Sequence, residues 1–136
     1  MGRLLSIDYG QKRTGIAVSD PLKIIATALQ TVATKDLARF LDDYIKREEV
    51  ETIVVGEPKQ MNGKPSESSK FIEPFVAQLK KKYPQIKIER ADERFTSKIA
   101  FQTMIDAGIT KKARQDKATV DKISAVLILQ SYMATL

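Results

Sequence analysis

Hydrophobic residues follow two different periods along this chain. The opening segment is nearly continuous in leucine and isoleucine and predicts a β-strand over Arg3–Tyr9. Further along, apolar residues recur every three or four positions and predict an amphipathic helix over Lys35–Glu48. The same two periods predict strands over Ile16–Ser19, Ile25–Val32, Thr52–Val55 and Ile86–Ala91, and helices over Ser69–Tyr83, from Thr96 or Ser97 to Gly108, and from near Thr119 to the C-terminus.

Two polar stretches separate these elements. The segment EPKQMNGKPSESSK, residues 57–70, is rich in proline, glycine and small polar side chains and predicts an exposed loop. The segment TKKARQDKA, residues 110–118, is polar and basic, and it predicts a mobile connector before the last helix.

The order of the predicted elements indicates the fold class. Three strands joined by short connections are typical of an antiparallel meander. The later strands are separated by helices, which makes those connections crossovers and the strands parallel. The sequence therefore predicts an α/β fold, in which a mixed five-stranded sheet carries helices on both faces. A length of 136 residues suits one domain over residues 1–136.

The composition excludes several kinds of active site. The chain has no histidine and no cysteine, so a Ser-His-Asp triad, a Cys-His pair and a histidine- or cysteine-ligated zinc are ruled out. Carboxylates are the remaining metal ligands, and they favour hard cations such as Mg²⁺ or Mn²⁺. A net charge of +6 is compatible with a nucleic-acid partner. No apolar run is long enough to span a membrane and no signal-peptide pattern opens the chain, so we expect a cytoplasmic protein.

Three acidic residues lie where chemistry is expected in such a fold. Asp8 closes the first strand, where a partly buried carboxylate needs a cation or a turn amide as partner. Glu93 follows the fifth strand, at the end where active residues of parallel sheets gather, although it could instead pair with Arg90 or Arg94. Asp121 shares a helical stripe with the apolar Ala125 and lies in the first turn of the last helix, which also suits the helix dipole.

If these three acids lie close together in the fold, they form a metal site. Closely set carboxylates repel one another unless a divalent cation neutralises them. Oxygen ligands in a basic protein suit phosphodiester hydrolysis, in which one ion activates water and a second stabilises the leaving oxygen. A fourth acid, Glu57, follows the fourth strand and could be a ligand, an auxiliary group or a polar residue that opens a loop.

Four motifs identify a family resemblance. The stretches IDYGQKRTGIAVSD, VVGEPKQMNG, DERFTS and KATVDKISAVLILQSY resemble, in order and spacing, those of the YqgF family. That family is described as Holliday-junction resolvases and as nucleases that process the 5′ end of pre-16S rRNA, with a ribonuclease H-like fold close to the RuvC resolvases. The resemblance implies that the metal-binding catalytic acids are Asp8, Glu93 and Asp121, and that the substrate-facing residues are Lys12, Arg13, Arg94 and Thr96.

One residue departs from the family pattern. Glu57 stands where the family often has an apolar residue, in a GLP motif, whereas RuvC-type resolvases have a glutamate near the end of the fourth strand. Glu57 therefore remains an auxiliary ligand or an alternative to Glu93, and we favour Glu93.

The basic connector adds candidate contacts with a substrate. Lys111, Lys112 and Arg114 precede the helix of Asp121, where a flexible basic segment could bind phosphates. The leading hypothesis is a Mg²⁺- or Mn²⁺-dependent endonuclease that acts on an RNA precursor. The alternatives are a Holliday junction resolvase acting on branched DNA, which requires a symmetric dimer, and a non-catalytic RNA-binding factor of the same fold. The chain is expected to be a monomer or a homodimer.

Overall fold

The computed structural model describes the backbone of residues 2–57, 69–92 and 117–136, and the side chains of residues 2–57, 70–91 and 122–136. The strands are β1 (Arg3–Asp8), β2 (Arg13–Ser19), β3 (Ala26–Ala33), β4 (Val50–Glu57) and β5 (Lys87–Asp92). The helices are α1 (Leu37–Arg47), which follows a 3₁₀ turn over Thr34–Asp36, α2 (Ser69–Lys82), and the helix here labelled α3 (Lys117–Met133).

The strands form one mixed sheet in the order β3-β2-β1-β4-β5. The pairs β1–β2 and β2–β3 are antiparallel, whereas β1–β4 and β4–β5 are parallel. The predicted meander and the predicted parallel pairing are therefore both confirmed. The carboxyl ends of β1, β4 and β5 consequently lie at one edge of the sheet.

Helices α1 and α2 cover one face of the sheet. Alternate residues of a strand face opposite sides, and on this face β1 contributes Leu5 and Ile7 while β4 contributes Ile53 and Val55, all with no measurable exposure. The other buried members of this cluster come mainly from the remaining strands and the two helices: Ile16, Val18, Val32, Leu37, Leu41, Tyr44, Val50, Ile72, Val76, Leu79, Tyr83 and Ile86. Burial of this apolar surface is the main stabilising contribution to the fold.

Helix α3 covers the opposite face. Leu4 of β1 and Ala17 of β2 pack there against Ala125 and Leu129 of α3. The helix lies mainly over β1, β2 and β3. Helices on both faces of a five-stranded sheet are what the element order predicted.

The boundaries of several elements differ from the prediction. β2 begins at Arg13, three residues early, because it pairs with β3 as far as Ala33. β4 extends to Glu57 because β5 pairs with it to that point. Residues 117 and 118 were assigned to a mobile connector, which is wrong, since α3 already begins at Lys117. The predicted helix ending at Gly108 lies outside the described residues, as do most of the polar stretches 57–70 and 110–118.

No helix in the described part of the chain is long and apolar enough to cross a membrane.

A buried tyrosine at the end of α2 predicts a dependence of stability on alkaline pH. Burial raises the pKa of the Tyr83 hydroxyl, and the hydrogen bond to the Asp42 carboxylate of α1 raises it further. Because the raised pKa favours the neutral phenol in the folded state, its contribution is complete below the ordinary value of 10.0 and is lost as the pH rises through the folded-state pKa. We expect Tyr83→Phe to lower the free energy of unfolding by about 1–2 kcal/mol at pH 8.

Urea denaturation at pH 8 and at pH 10.5 measures this effect. The Phe variant should lose less stability between the two pH values than the wild type. An equal loss in both proteins would show that Tyr83 does not contribute to the pH dependence.

Candidate functional site

Asp8 lies at the centre of the sheet, at the carboxyl end of β1. It is half-buried and pairs with Gly15 of β2. Leu4 and Ser6 precede it on the same face of the strand, and both are buried under α3. The alternation of β1 therefore assigns Asp8 to the α3 face of the sheet.

A buried hydrogen bond joins α3 to β1. The Ser6 hydroxyl donates to the backbone carbonyl of Ala125 over 2.6 Å, and the two residues are 119 positions apart in the chain. Neither residue has measurable solvent exposure. Because Ala125 has only a methyl group and Ser6 a small hydroxyl, the helix can approach the strand closely at this point.

The direction of α3 follows from two of its contacts with β1. Its second half packs on Leu4, near the start of β1. Ala125, nearer the start of the helix than Leu129, is bonded to Ser6, which lies further along the strand. Helix α3 is therefore antiparallel to β1, and its first turns lie towards the carboxyl end of this strand.

This direction places position 121 towards Asp8. Position 121 comes four residues before Ala125 in the helix, which is an axial distance of about 6 Å. Asp8 comes two residues after Ser6 in the strand, which is about 6.6 Å in the same direction. The two steps start from one hydrogen-bonded pair and are nearly equal in length. The backbone thus brings the helical turn of Asp121 and the end of β1 to the same region.

Glu57 lies on the other face. It continues the alternation of Ile53 and Val55, which belong to the α1/α2 core. Its carboxylate Oε2 is 3.7 Å from Nη1 of Arg90 on β5, and Arg90 also binds Glu73 of α2. The structure therefore separates Glu57 from the face to which Asp8 belongs.

Thr34, the first residue of the 3₁₀ turn, stabilises the turn that follows Asp8. The Thr34 hydroxyl donates to the carbonyl of Gly10 over 2.6 Å, and the Thr34 amide donates to the carbonyl of Lys12 over 3.0 Å. The buried Thr14 completes this network, because its hydroxyl lies 2.9 Å from that of Thr34. Thr34 was not among the predicted site residues, because nothing in its local sequence indicates a contact with a turn more than 20 residues away.

Glycine is required at position 10 on steric grounds. A Cβ atom there would lie 2.4 Å from the carbonyl oxygen of Arg13, closer than any side chain tolerates. Lys12 is exposed and Arg13 half-buried, and this tight turn carries both. Arg94, Thr96, Lys111, Lys112 and Arg114 lie outside the described residues.

The three predicted ligands are described to different extents. Asp8 is described fully, Asp121 by its backbone alone, and Glu93 lies outside the described residues. Within the described side chains, no three acidic groups are close enough together to hold a metal ion. The carboxylate of Asp8 has oxygen donors of the kind that Mg²⁺ and Mn²⁺ prefer.

Comparison with known proteins identifies the family. Residues 2–135 match the sequence model of a family described as "RuvX: Holliday junction resolvase". This chain belongs to the RuvX family. It is the family whose motifs the sequence resembled under the name YqgF, and the sheet described above is consistent with its ribonuclease H-like fold.

Curated relatives of this RuvX chain are similar over almost their whole length. A protein of Flavobacterium psychrophilum is 58% identical over 98% of this chain and 97% of its own, and one of Flavobacterium johnsoniae is 56% identical over 99% and 98%. A protein of Bacteroides fragilis is 57% identical over 99% of this chain and 98% of its own. All three are named "Putative pre-16S rRNA nuclease".

A solved structure, that of Archaeoglobus fulgidus Pelota, has a TM-score of 0.48 and 13% identity to this chain. It covers 99% of this chain and 38% of its own, and the likeness is too distant to bear on function.

Proposed function

We propose that this RuvX-family chain is a cytoplasmic, metal-dependent endonuclease that hydrolyses phosphodiester bonds at the 5′ end of pre-16S rRNA. The names of its relatives support the substrate, since several that are more than half identical over nearly the whole chain are named for pre-16S rRNA. The family description supports action on nucleic acid. A basic chain with oxygen ligands and without histidine fits this chemistry.

The hydrogen bond from Ser6 to Ala125 is the structural observation that best supports the proposal. It joins α3, the helix that contains Asp121, to β1, the strand that ends with Asp8. This backbone arrangement supports Asp8 and Asp121, which come from opposite ends of the sequence, as a proposed pair of ligands.

Strand pairing supports Glu93 as the third ligand. Asp92, the last residue of β5, pairs with Glu57, and Glu57 faces α2. Glu93 follows Asp92 directly in the sequence, and we propose it, rather than Glu57, as the third ligand. Glu57 lies on the wrong face for an auxiliary ligand, and we do not propose it as one.

The roles of the residues follow from their chemistry. Asp8, Glu93 and Asp121 would hold Mg²⁺ or Mn²⁺, which supplies activation of water and neutralisation of charge at the phosphate. Lys12 and Arg13 are held near Asp8 by the turn and would bind the phosphate next to the cleaved bond. Arg94, Thr96, Lys111, Lys112 and Arg114 would bind the remaining phosphates of the substrate.

Cleavage of a defined precursor tests this function. An RNA with the 5′ extension of 16S rRNA is incubated with the protein in Mg²⁺, in Mn²⁺ or in EDTA, and the product ends are mapped. We expect cleavage within the extension only when a divalent ion is present. Binding without cleavage in either ion, unchanged by Asp8→Asn, would instead identify a non-catalytic RNA-binding factor.

The family description supports a second candidate, a resolvase of branched DNA. A synthetic four-way DNA junction in the same assay distinguishes the two, because a resolvase makes paired symmetric cuts and acts as a dimer. Paired cuts in the junction, together with an intact RNA precursor, would favour the resolvase.

Replacement of the connector cations tests the proposed interface. We expect the triple variant Lys111→Gln, Lys112→Gln, Arg114→Gln to bind the RNA more weakly, with a slope of log K against log [salt] that is smaller by about 0.7 per lost phosphate contact. Filter binding between 50 and 300 mM KCl measures the slope. A variant with Lys80, Lys81 and Lys82 of α2 replaced is the charge-matched control, and equal slopes in both variants would remove the connector from the interface.

A further inference from the structure

Strand β3 lies at an edge of the sheet and has only one strand beside it, β2, in the part of the chain that the structure describes. Its sequence, ATALQTVA, contains no charged residue and no proline. Soluble proteins usually protect an edge strand with charges or proline, because the backbone groups of an open edge pair readily with another strand. The edge of β3 is therefore suited to pairing with a further strand.

A β-bulge limits the regular part of this edge. The register of β3 with β2 skips Leu29, which is the extra residue of the bulge, and it is regular from Gln30 to Ala33. Because a bulge bends its strand, we expect a partner strand along residues 30–33 rather than along the whole of β3.

Helix α1 borders the same segment. Residues 30–33 line one groove, with a volume of about 330 Å³, together with Asp36 and with Arg39, Phe40 and Asp43 of α1. A chain that pairs with residues 30–33 therefore also meets this face of α1.

The charges on this face of α1 alternate in sign. Asp36, Arg39, Asp43 and Lys46 follow one another at intervals of three, four and three residues, which places them on one side of the helix. Because the order acid, base, acid, base is reversed when the helix is viewed from its other end, two antiparallel copies of α1 pair Asp36 with Lys46 and Arg39 with Asp43. Within one chain, Arg39 lies 3.4 Å from Asp36 and its side chain remains 77% exposed, so a partner can reach it.

The strand segment and the charged helix face have their centres at the same level of the fold. The alternating charges are symmetric about residue 41, which lies about 6 Å along the helix axis from Leu37, where α1 begins. Thr31 lies about 6.6 Å from Ala33, where β3 ends. A turn of three residues joins the two elements, and both border one groove. One two-fold axis through this level can therefore relate both β3 and α1 to those of a second copy.

We propose that residues 30–33 of β3 and the charged face of α1 form the interface of a homodimer. The occupant is a second copy of this chain, because the strand has no charge that would repel its counterpart and the helix face is complementary to itself. In the dimer, the two β3 strands are antiparallel and the two sheets form one continuous sheet. The surface contains none of the proposed metal ligands, and dimerisation does not depend on the proposed nuclease activity.

Reversal of two charges tests the helix face. Sedimentation equilibrium at about 5–500 μM chain measures the association, and a short ladder with one helix face should give a dissociation constant in the micromolar range. We expect Arg39→Asp and Asp43→Arg each to weaken the dimer at least about tenfold, because each places like charges opposite one another in two places. The double variant Arg39→Asp, Asp43→Arg should recover most of the affinity. Lys80→Glu, an equal change of charge on α2, is the control.

An introduced cysteine tests the strand, since the chain has no cysteine of its own. Thr31 lies opposite its counterpart in the proposed dimer, so Thr31→Cys should form a disulfide-linked dimer on mild oxidation. Thr27→Cys is the matched control on the same strand. The two copies of Thr27 would be about 26 Å apart along the strands, which is too far for a disulfide.

A chain that sediments as a monomer at every concentration would overturn the proposal and leave the edge of β3 to a strand of another protein. A dimer that Arg39→Asp and Asp43→Arg leave unchanged, or that Lys80→Glu weakens equally, would have its interface elsewhere. Equal crosslinking of the Thr31 and Thr27 variants would also reject the proposed register. Melting temperatures identify any variant that does not fold, and in that case the cysteine variants decide.

Discussion

Replacement of Asp8 by asparagine is expected to lower Mn²⁺-supported cleavage by more than about 100-fold, because even groups outside the ligand set change metal affinity or activity 10–100-fold. The amide retains the shape of the side chain and loses its charge. In the absence of metal, the variant should melt at the same or a higher temperature, since the substitution would remove one charge from the proposed group of mutually repelling acids. Asp121→Asn should behave in the same way.

The measurements are single-turnover cleavage of the RNA precursor and thermal melting with and without Mn²⁺. Asp43→Asn is the matched control, because Asp43 is an exposed acid of α1 on the other face of the sheet. It should cleave at the wild-type rate. Cleavage that persists in both Asp8→Asn and Asp121→Asn would reject the assignment of the ligands.

The second large effect concerns the contact between α3 and β1. Ala125→Leu is expected to lower the free energy of unfolding by about 1–3 kcal/mol, because the larger side chain has no space against Leu4 and Ala17. A loss of this size corresponds to a melting temperature lower by about 3–10 °C. The cleavage rate of the folded protein should also fall, since displacement of α3 moves position 121 away from Asp8.

Gln130→Leu controls for the introduced leucine, because Gln130 is exposed on the same helix. Thermal melting and cleavage at a temperature where both variants are folded measure the two effects. If Ala125→Leu were destabilised and yet fully active below its melting temperature, the packing of α3 would not determine the geometry of the site.

The strands and helices that could be located from the sequence are those in which buried apolar residues follow a recognisable pattern. In β1, Leu5 and Ile7 face the α1/α2 core and Leu4 faces α3, so the strand is recognisable in the sequence as a short, nearly continuous apolar run. In α1, Leu37, Leu41 and Tyr44 are buried and keep helical spacing for the same reason. Element ends are less constrained, and α3 begins within a polar stretch that has no apolar period at all.

The candidate site was predictable in its residue types and less so in its geometry. In the sequence, Glu57 and Glu93 each come after a predicted strand, and nothing local shows which face of the sheet each one occupies. Pairing of β4 with β5, and the contacts of Arg90 with Glu57 and Glu73, provide that information for Glu57. The bond from Ser6 to Ala125 likewise joins residues too far apart for a local pattern to reveal.

The position of α3 has a consequence for the order of events during translation. The helix that covers the first three strands is synthesised more than 80 residues after the last of them. Until it emerges from the ribosome, Leu4, Ser6 and Ala17 lack the layer that α3 provides, and contacts over such long separations form slowly. If the proposed ligands are Asp8 and Asp121, hydrolytic activity begins only after this late segment has folded onto the sheet.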